Sequence, residues 1–259
     1  MSRLKRLASP EALFVLSAAA GLFGFGAAVG HYEIFPFPVL KFAVESATAV
    51  AADTGTILGT RPTQFLEPAR YSGSGAIVHD APKVAPGLTL MYGFFEGGNQ
   101  IRLVRADGTV VHRWPVKYSD FFPEPRHVAP DKDIPQTDWN AEIHGALPLP
   151  DGSIVFNFNY LGTVKLDRCG QTQWTLPLMT HHAVTQAADG TFLIPSWRYV
   201  GDTAEYPHLH PPYRNEKILK VSPDGEVLSE TSVLEIFYRN NYQGVLARGG
   251  GRGDIIHVN

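Results

Sequence analysis

The sequence has a single cysteine, Cys169, which excludes an intramolecular disulfide and a metal site built from several thiolates. Cys169 stands in a turn-like Asp-Arg-Cys-Gly stretch, so we interpret it as a small turn residue rather than a nucleophile. The sequence also lacks a surplus of either charge, since 22 Lys and Arg stand against 25 Asp and Glu. A protein that binds nucleic acid normally carries a basic face, so we expect no nucleic-acid partner.

Glycine and proline are abundant instead, with 25 and 20 residues, and most of them lie between short apolar runs. That distribution favours a turn-rich β protein over a helical one. The hydrophobic share of 44% is ordinary for a globular protein and is sufficient for a sizeable core.

The N-terminus carries a membrane signal. Three basic residues among the first six precede an uncharged stretch, residues 12–30, whose 19 residues nearly match the ~20 needed to span a bilayer. The basic start orients the N-terminus inward, so we expect a membrane anchor with the body on the periplasmic or extracytoplasmic side. A cleaved signal peptide is the alternative, although its apolar region is typically only about 7–15 residues long. Gly26 and Gly30 have the spacing that packs two such helices together, which leaves a homodimer open.

We divide the chain into a membrane anchor (residues 1–31), a juxtamembrane segment and linker (residues 32–86) and a β domain (residues 87–259). Pro36 and Pro38 are expected to end the first helix, and Phe42–Ala52 to form a short helix or stalk. Residues 53–85 show no sustained period and are interpreted as a linker.

From Gly87 onward the pattern changes to short strands with tight turns. Asp-Gly, a strong hairpin signal between β runs, recurs at 107–108, 151–152, 189–190 and 224–225. The predicted strands are Leu88–Phe95, Gln100–Arg105, Thr109–Trp114, Ser153–Asn159, Thr163–Asp167, Gln171–Thr175, Thr191–Pro195, Lys217–Val221 and Glu226–Thr231.

Two of these segments repeat each other. His144 and His182 each stand seven residues before an Asp-Gly pair, and they are 38 residues apart, close to the roughly 40–45 residues of a propeller blade. We therefore predict an all-β fold, a β-propeller with about four blades present. The chain stops in an apolar, strand-like run, residues 254–259, and an unpaired edge strand is a liability. We expect a fragment of a longer chain, with a compact four-bladed ring as the alternative.

The repeat predicts that polar side chains far apart in the sequence meet at the central axis of the propeller. His144, His182 and His257 each stand at an expected start of an innermost strand, which lines the channel of a propeller. Arg198 follows the strand Thr191–Pro195 and should lie near the same channel. A guanidinium suits a tetrahedral oxyanion, and a neutral imidazole suits nucleophilic attack or proton transfer. The set would suit transfer of a sulfuryl or phosphoryl group.

Other motifs have simpler interpretations. His181 should point to the other face from His182 because side chains alternate along a strand. His208 and His210 have a metal-like spacing but no acidic or cysteine partner in register, so we expect no metal. The Arg252-Gly-Asp tripeptide matches an adhesion motif, and we interpret the match as a chance occurrence. We interpret the glycine run 249–253 as a connection between blades.

The sequence resembles the bacterial arylsulfotransferase (aryl sulfate sulfotransferase) family over residues 87–259. The resemblance rests on Gly87-Leu-Thr-Leu, on Arg102 through Trp114, on the His144 strand, on the His181-His182 pair and on the closing Asp254-Ile-Ile-His257-Val-Asn259. It implies a six-bladed propeller in the bacterial cell envelope. It further implies that a sulfuryl group passes from a phenolic sulfate ester to another phenol, without a nucleotide donor and with no cofactor.

The family's site residues can be carried over by position. The resemblance implies that His257 is the transiently sulfated nucleophile, that His182 and Arg198 hold the sulfate oxygens, and that His144 is a further substrate-binding group. Two other function classes stay open. One is a non-catalytic, membrane-anchored propeller that binds a partner, and the other is a quinoprotein-type dehydrogenase, which the single cysteine and few tryptophans disfavour.

Overall fold

The computed structural model describes residues 9–57, 70–73, 75–76, 80–202, 205–248 and 253–259. The chain divides into two compact units, residues 1–58 and 59–259. The predicted linker lies partly outside the described residues, and residues 249–252, which include Arg252 and most of the glycine run, lie wholly outside them.

The first unit begins with helix α1, Pro10–Tyr32. Ser9 caps it, because its hydroxyl accepts a hydrogen bond from the Ala12 amide at 3.2 Å. At 1.5 Å per residue its 23 residues span about 35 Å, more than the roughly 30 Å hydrocarbon core of a bilayer. Large apolar side chains such as Phe14 and Phe23 are exposed along it. One N-terminal helix is therefore long and apolar enough to cross a membrane.

Helix α2, Phe37–Ile57, is longer than the predicted Phe42–Ala52. Pro38 lies in its first turn, where a residue without an amide proton is tolerated because that proton would have no helical partner. Pro36 lies between α1 and α2 as expected, whereas Pro38 lies within α2 and does not end a helix.

The second unit is mostly β, with three antiparallel sheets. The first sheet is β1–β2–β3, the second is β4–β5–β6–β7, and the third has the order β11–β10–β9–β8. All four Asp-Gly pairs lie between consecutive antiparallel strands, as predicted. The strands are β1 Leu88–Phe95, β2 Gly98–Arg105, β3 Val110–Pro115, β4 Ile143–Pro148, β5 Ile154–Phe158, β6 Gly162–Leu166, β7 Thr172–Leu176, β8 Thr185–Gln186, β9 Phe192–Val200, β10 Tyr213–Val221 and β11 Val227–Ser232.

Strands β9 and β10 run further than predicted because Pro195 does not interrupt their pairing. The carbonyl of Pro195 accepts from the His181 amide at 3.0 Å, so this residue's backbone polar groups point away from β10. The missing amide proton of the proline therefore costs no ladder hydrogen bond to β10. The described part of this unit also contains three short α-helices: α3 Tyr118–Phe121, α4 Val233–Arg239 and α5 Gln243–Arg248.

The sheets pack face to face, with β5 buried on both sides. Ile154, Phe156 and Phe158 belong to the core shared with the first sheet, whereas Val155 belongs to the core shared with the third. The alternation of side chains along the strand places Asn157 on the same side as Val155. Every residue of β5 is buried, so this strand fixes the second sheet between its neighbours and aims one polar side chain toward the third.

The C-terminal segment is not the strand that the sequence predicted. Gly253 makes one parallel bridge to Tyr213, through hydrogen bonds of 2.9 Å from the Arg214 amide to the Gly253 carbonyl and 3.0 Å from the Gly253 amide to the Pro212 carbonyl. Residues 254–259 continue without strand pairing. The apolar Ile255 and Ile256 instead pack against a small core, to which β9, β10, α4 and α5 each contribute side chains.

Candidate active site

Three histidines from distant parts of the sequence meet in the second unit. The Nε2 atoms of His182 and His257 are 2.6 Å apart, and the rings of His144 and His182 lie 4.0 Å apart between centroids. On its other side, His257 Nδ1 lies 2.9 Å from Asp254 Oδ2. The structure thus brings together the three histidines that the sequence singled out and adds a carboxylate to them.

This geometry fixes the tautomers of the two contacting rings. A carboxylate beside His257 Nδ1 requires the proton on that nitrogen, since two acceptors would otherwise face each other. When both rings are neutral, His257 Nε2 carries the lone pair and His182 Nε2 donates the proton that joins the two rings. The chain Asp254–His257–His182 therefore presents an imidazole lone pair oriented by a carboxylate, an arrangement typical of an activated nucleophile.

His182 is held in place by the start of β4. Its amide donates to His144 Nδ1 at 3.3 Å, and a side-chain carbon at Gly145 would lie 2.1 Å from the His182 carbonyl oxygen. Only glycine allows this approach. His182 itself has a φ of 54°, in the left-handed region that residues with side chains rarely adopt, and such strain is maintained only when the surroundings fix it.

A buried polar network supplies much of that fixation. Asn157 on β5 is fully buried and donates through Nδ2 to the carbonyls of His181 at 3.1 Å and His182 at 2.9 Å. Its Oδ1 accepts from the Thr163 hydroxyl at 2.5 Å, and that hydroxyl lies 2.8 Å from the hydroxyl of Thr180. The second sheet therefore positions both histidines through one amide.

Arg198 does not lie where the sequence predicted. Its guanidinium pairs with Glu205, and no described contact joins it to the histidines. The reason is the period of two along a strand: Trp197 faces the site, so its neighbour Arg198 faces away. The guanidinium beside the site is Arg214, which lies opposite Tyr199 in the pairing of β9 and β10.

Arg214 is held by stacking and by charge. Its guanidinium carbon lies 4.7 Å from the ring centroid of Tyr160 and 4.7 Å from that of Trp197, and Nη1 lies 3.7 Å from Asp254 Oδ2. Two aromatic faces restrict the motion of a side chain that is otherwise flexible. A fixed positive charge therefore stands next to the Asp254–His257 pair.

Next to this histidine cluster lies a buried pair, His181 and Glu216. Both side chains are fully buried, and His181 Nε2 lies 3.0 Å from Glu216 Oε2. Burial and, second to it, the nearby Asp254 carboxylate together raise the pKa of Glu216 to about 8. Burial also lowers the pKa of His181 to about 4, and Arg214 acts in the same direction, as a proton on His257 would. Near neutral pH both members therefore favour their uncharged forms, in which the carboxylic acid donates to the imidazole.

The expectation that His181 points away from its neighbour is wrong. The rings of His181 and His182 lie 5.0 Å apart, and the ring of His181 lies 6.0 Å from that of His257. Residues 181–184 form an irregular segment before β8 rather than a strand, so strict alternation does not apply.

His182 and His144, which are half-buried, share the preference for the neutral state. The pKa of His182 is lowered to about 4, first by burial and then by the positive charge that protonation would place on His144, His181 and His257. Burial is also the main reason that the pKa of His144 is lowered. Neutral imidazoles are what nucleophilic attack and proton acceptance require.

Two cavities open beside this cluster, and both are lined by Trp197 and Arg214. One, of about 350 Å³, extends toward Asp254, Tyr199 and a wall of prolines. The other, of about 250 Å³, is lined by Tyr160 and by Met179. The 350 Å³ cavity is also lined by Lys132 and Asp133, so it holds charges of both signs. Its aromatic walls can accept an aromatic ring, and Arg214 can accept an anionic group on that ring.

The remaining sequence predictions concern positions away from the cluster. Cys169 is exposed in the turn between β6 and β7, consistent with a small turn residue. His208 and His210 are exposed, and the described residues that could together hold a cation are instead Glu216, Asp254 and His257.

Sequence reasoning missed Arg214, Glu216 and the role of Asp254. A partial signal was present in β10, where Arg214 and Glu216 stand two residues apart. Charged residues two apart on a strand share one face. The lysines at 217 and 220 of the same strand obscure that signal, because they give the strand charged residues on both faces.

Comparison with known proteins adds little to this picture. No family model matches the chain, and no curated protein matches it. Among solved structures, the chain is similar to a protein of unknown function from Bacteroides caccae, with 20% identity and a TM-score of 0.35. The match covers 55% of this chain and spans 39% of the length of that protein. At that level the similarity bears on neither the activity nor the details of the fold.

Proposed function

We propose that this chain transfers a sulfuryl group from an aryl sulfate ester to a phenolic acceptor, through a covalent intermediate on His257. The observation that carries the proposal is the chain Asp254–His257–His182, with contacts of 2.9 and 2.6 Å. It orients an unprotonated Nε2 on an accessible histidine beside a fixed guanidinium. The sequence resemblance to arylsulfotransferases supports the same chemistry.

In the first step the lone pair of His257 Nε2 attacks the sulfur atom. The nitrogen–sulfur bond forms, the bond from sulfur to the aryl oxygen breaks, and the phenolate leaves and takes a proton from water. Arg214 and the Nε2 proton of His182 bind the sulfate oxygens, replacing the role first expected for Arg198. The positive charge that develops on the His257 ring is balanced by Asp254.

In the second step the acceptor phenol attacks the same sulfur. His144 or His182, both neutral near pH 7, takes the phenolic proton. The new sulfur–oxygen bond forms as the sulfur–nitrogen bond breaks, and His257 returns to its starting state. The proton passes to water, so that the enzyme is regenerated without a cofactor.

The aromatic walls suit both substrates. Trp197 and Tyr199 line the larger cavity next to Arg214, so a phenyl ring can lie against them while its sulfate group points to the guanidinium. We further propose that the three sheets are successive blades of a propeller and that the body lies on the periplasmic side of the membrane. The basic N-terminus supports this orientation.

The test is an assay of nitrophenol release from 4-nitrophenyl sulfate, with and without phenol, on the full chain in detergent micelles. Release should rise with phenol and follow ping-pong kinetics, and His257→Ala should abolish it. His112→Ala, which removes an exposed histidine on β3, is the matched control and should keep full activity. Folded wild type that releases no nitrophenol from several aryl sulfates would refute the proposal and favour a non-catalytic binding protein.

A further inference from the structure

We infer that the protein also has a divalent metal site, formed by Glu216, Asp254 and one ring nitrogen of His257. Ligand atoms of these three side chains all lie within 4.8 Å of one another. They come from two separate elements, β10 and the C-terminal segment, so their proximity is a product of the fold rather than of sequence spacing. One imidazole and two carboxylates form a set that suits Zn²⁺ and other first-row divalent ions.

The second observation is an unpartnered oxygen. Glu216 is fully buried, and one of its oxygens, Oε2, contacts His181. The other oxygen, Oε1, has no hydrogen-bond partner in the described part of the chain. A buried carboxyl oxygen without a partner costs free energy that a ligand can recover, and a cation held with Asp254 and His257 would provide that partner.

The site needs only a small closure to bind the ion. Ligands at about 2.0–2.2 Å from a metal lie at most about 4.4 Å from each other, and the 4.8 Å limit on the present separations exceeds that by only some tenths of an ångström. Glu216 is the fixed member, because His181 holds it from behind. The side chains of Asp254 and His257 are 39% and 40% exposed, so they can move toward it without displacing the core.

One neighbour opposes the cation. Arg214 Nη1 lies 3.7 Å from Asp254 Oδ2, so its positive charge competes for the same carboxylate. Removing that charge should therefore strengthen metal binding. Substitution of Arg214 therefore tests the site by a gain in affinity for the metal, whereas substitution of a ligand tests it by a loss.

The metal site would share His257 and Asp254 with the proposed transfer site, so its test is run on metal binding alone and uses no sulfate ester. Metal-free chain without a histidine tag is titrated with Co²⁺, and binding is followed by visible absorption and by calorimetry, with Zn²⁺ as a displacing ion. We expect one saturable Co²⁺ per chain. Asp254→Asn and Glu216→Gln should each weaken binding by at least about 10-fold, and Arg214→Gln should tighten it.

His210→Ala is the control for adventitious binding and should leave the titration unchanged, since His210 is exposed outside the cluster. Circular dichroism of each variant separates loss of a ligand from loss of the fold. A wild type without saturable Co²⁺ or Zn²⁺ binding would overturn the inference. Binding that survives in folded Asp254→Asn but disappears in His210→Ala would also overturn it. Nitrophenol release is measured separately on the metal-free wild type, so a failure of metal binding and a failure of sulfuryl transfer are distinguished.

Discussion

Replacing Gly145 with alanine should displace His182 and thereby disable the site. The added carbon would lie 2.1 Å from the His182 carbonyl oxygen and 2.8 Å from its carbonyl carbon. Non-bonded carbon and oxygen atoms need roughly 3.3 Å or more, so β4 and residue 182 must separate by about 1 Å. Overpacking of this kind typically costs about 1–3 kcal/mol of stability, and a misplacement of about 1 Å can cost roughly 100-fold in rate.

Two measurements on the full chain check this expectation. Urea unfolding gives the loss in the free energy of unfolding, and nitrophenol release from 4-nitrophenyl sulfate gives the loss in kcat/KM. Gly244→Ala is the matched control: nothing lies within 4 Å of its added carbon, and alanine is favoured over glycine within helix α5. A Gly145→Ala variant with the stability and turnover of the wild type would refute the claim that this close approach positions His182.

Three other changes test neighbouring parts of the site. Arg214→Lys should lower kcat/KM by roughly 100-fold, as loss of an oxyanion-binding group does, whereas Arg198→Lys should leave kcat/KM unchanged. Equal losses in the two variants would contradict the assignment of Arg214 as the group that binds the sulfate oxygens. Asn157→Ala should lower the free energy of unfolding by about 1–3 kcal/mol, measured in urea, because two buried carbonyls lose their donor. Because the pKa of Glu216 is raised from 4.5 to about 8 in the fold, its contribution to stability is complete below pH 4.5 and is lost as the pH rises through 8. Glu216→Gln should therefore flatten the decline in stability between pH 4.5 and about pH 8, and an unchanged slope would show that Glu216 is already ionised in the fold.

Much of the β architecture could be predicted because its signals are local. Asp-Gly pairs determine hairpin turns through the left-handed conformation that glycine adopts, and Gly108 and Gly190 have φ of 87° and 83°. The short β-branched runs between the turns favour strands, because such side chains pack well on a pleated surface. The C-terminal run 254–259 was wrongly predicted as a strand, because its isoleucines satisfy their burial against a core instead of within a sheet.

The site was only partly predictable, for a physical reason. The repeated spacing before Asp-Gly placed His144 and His182 at equivalent points of successive sheets, and this information is present in one chain. The choice between Arg198 and Arg214 depends on which face of β9 and β10 is turned inward. That choice is made by long-range packing, which a strand's own sequence does not encode when both faces carry polar residues.

The most direct test of the account is to trap the covalent intermediate. Full chain is mixed with 4-nitrophenyl sulfate in the absence of an acceptor, quenched in alkali, digested and examined by mass spectrometry. The account predicts one sulfuryl group on the peptide that carries His257, and its loss when phenol is added before the quench. Nitrophenol release without any modified histidine, or with the sulfuryl group on another residue, would contradict the assignment of His257 as the nucleophile.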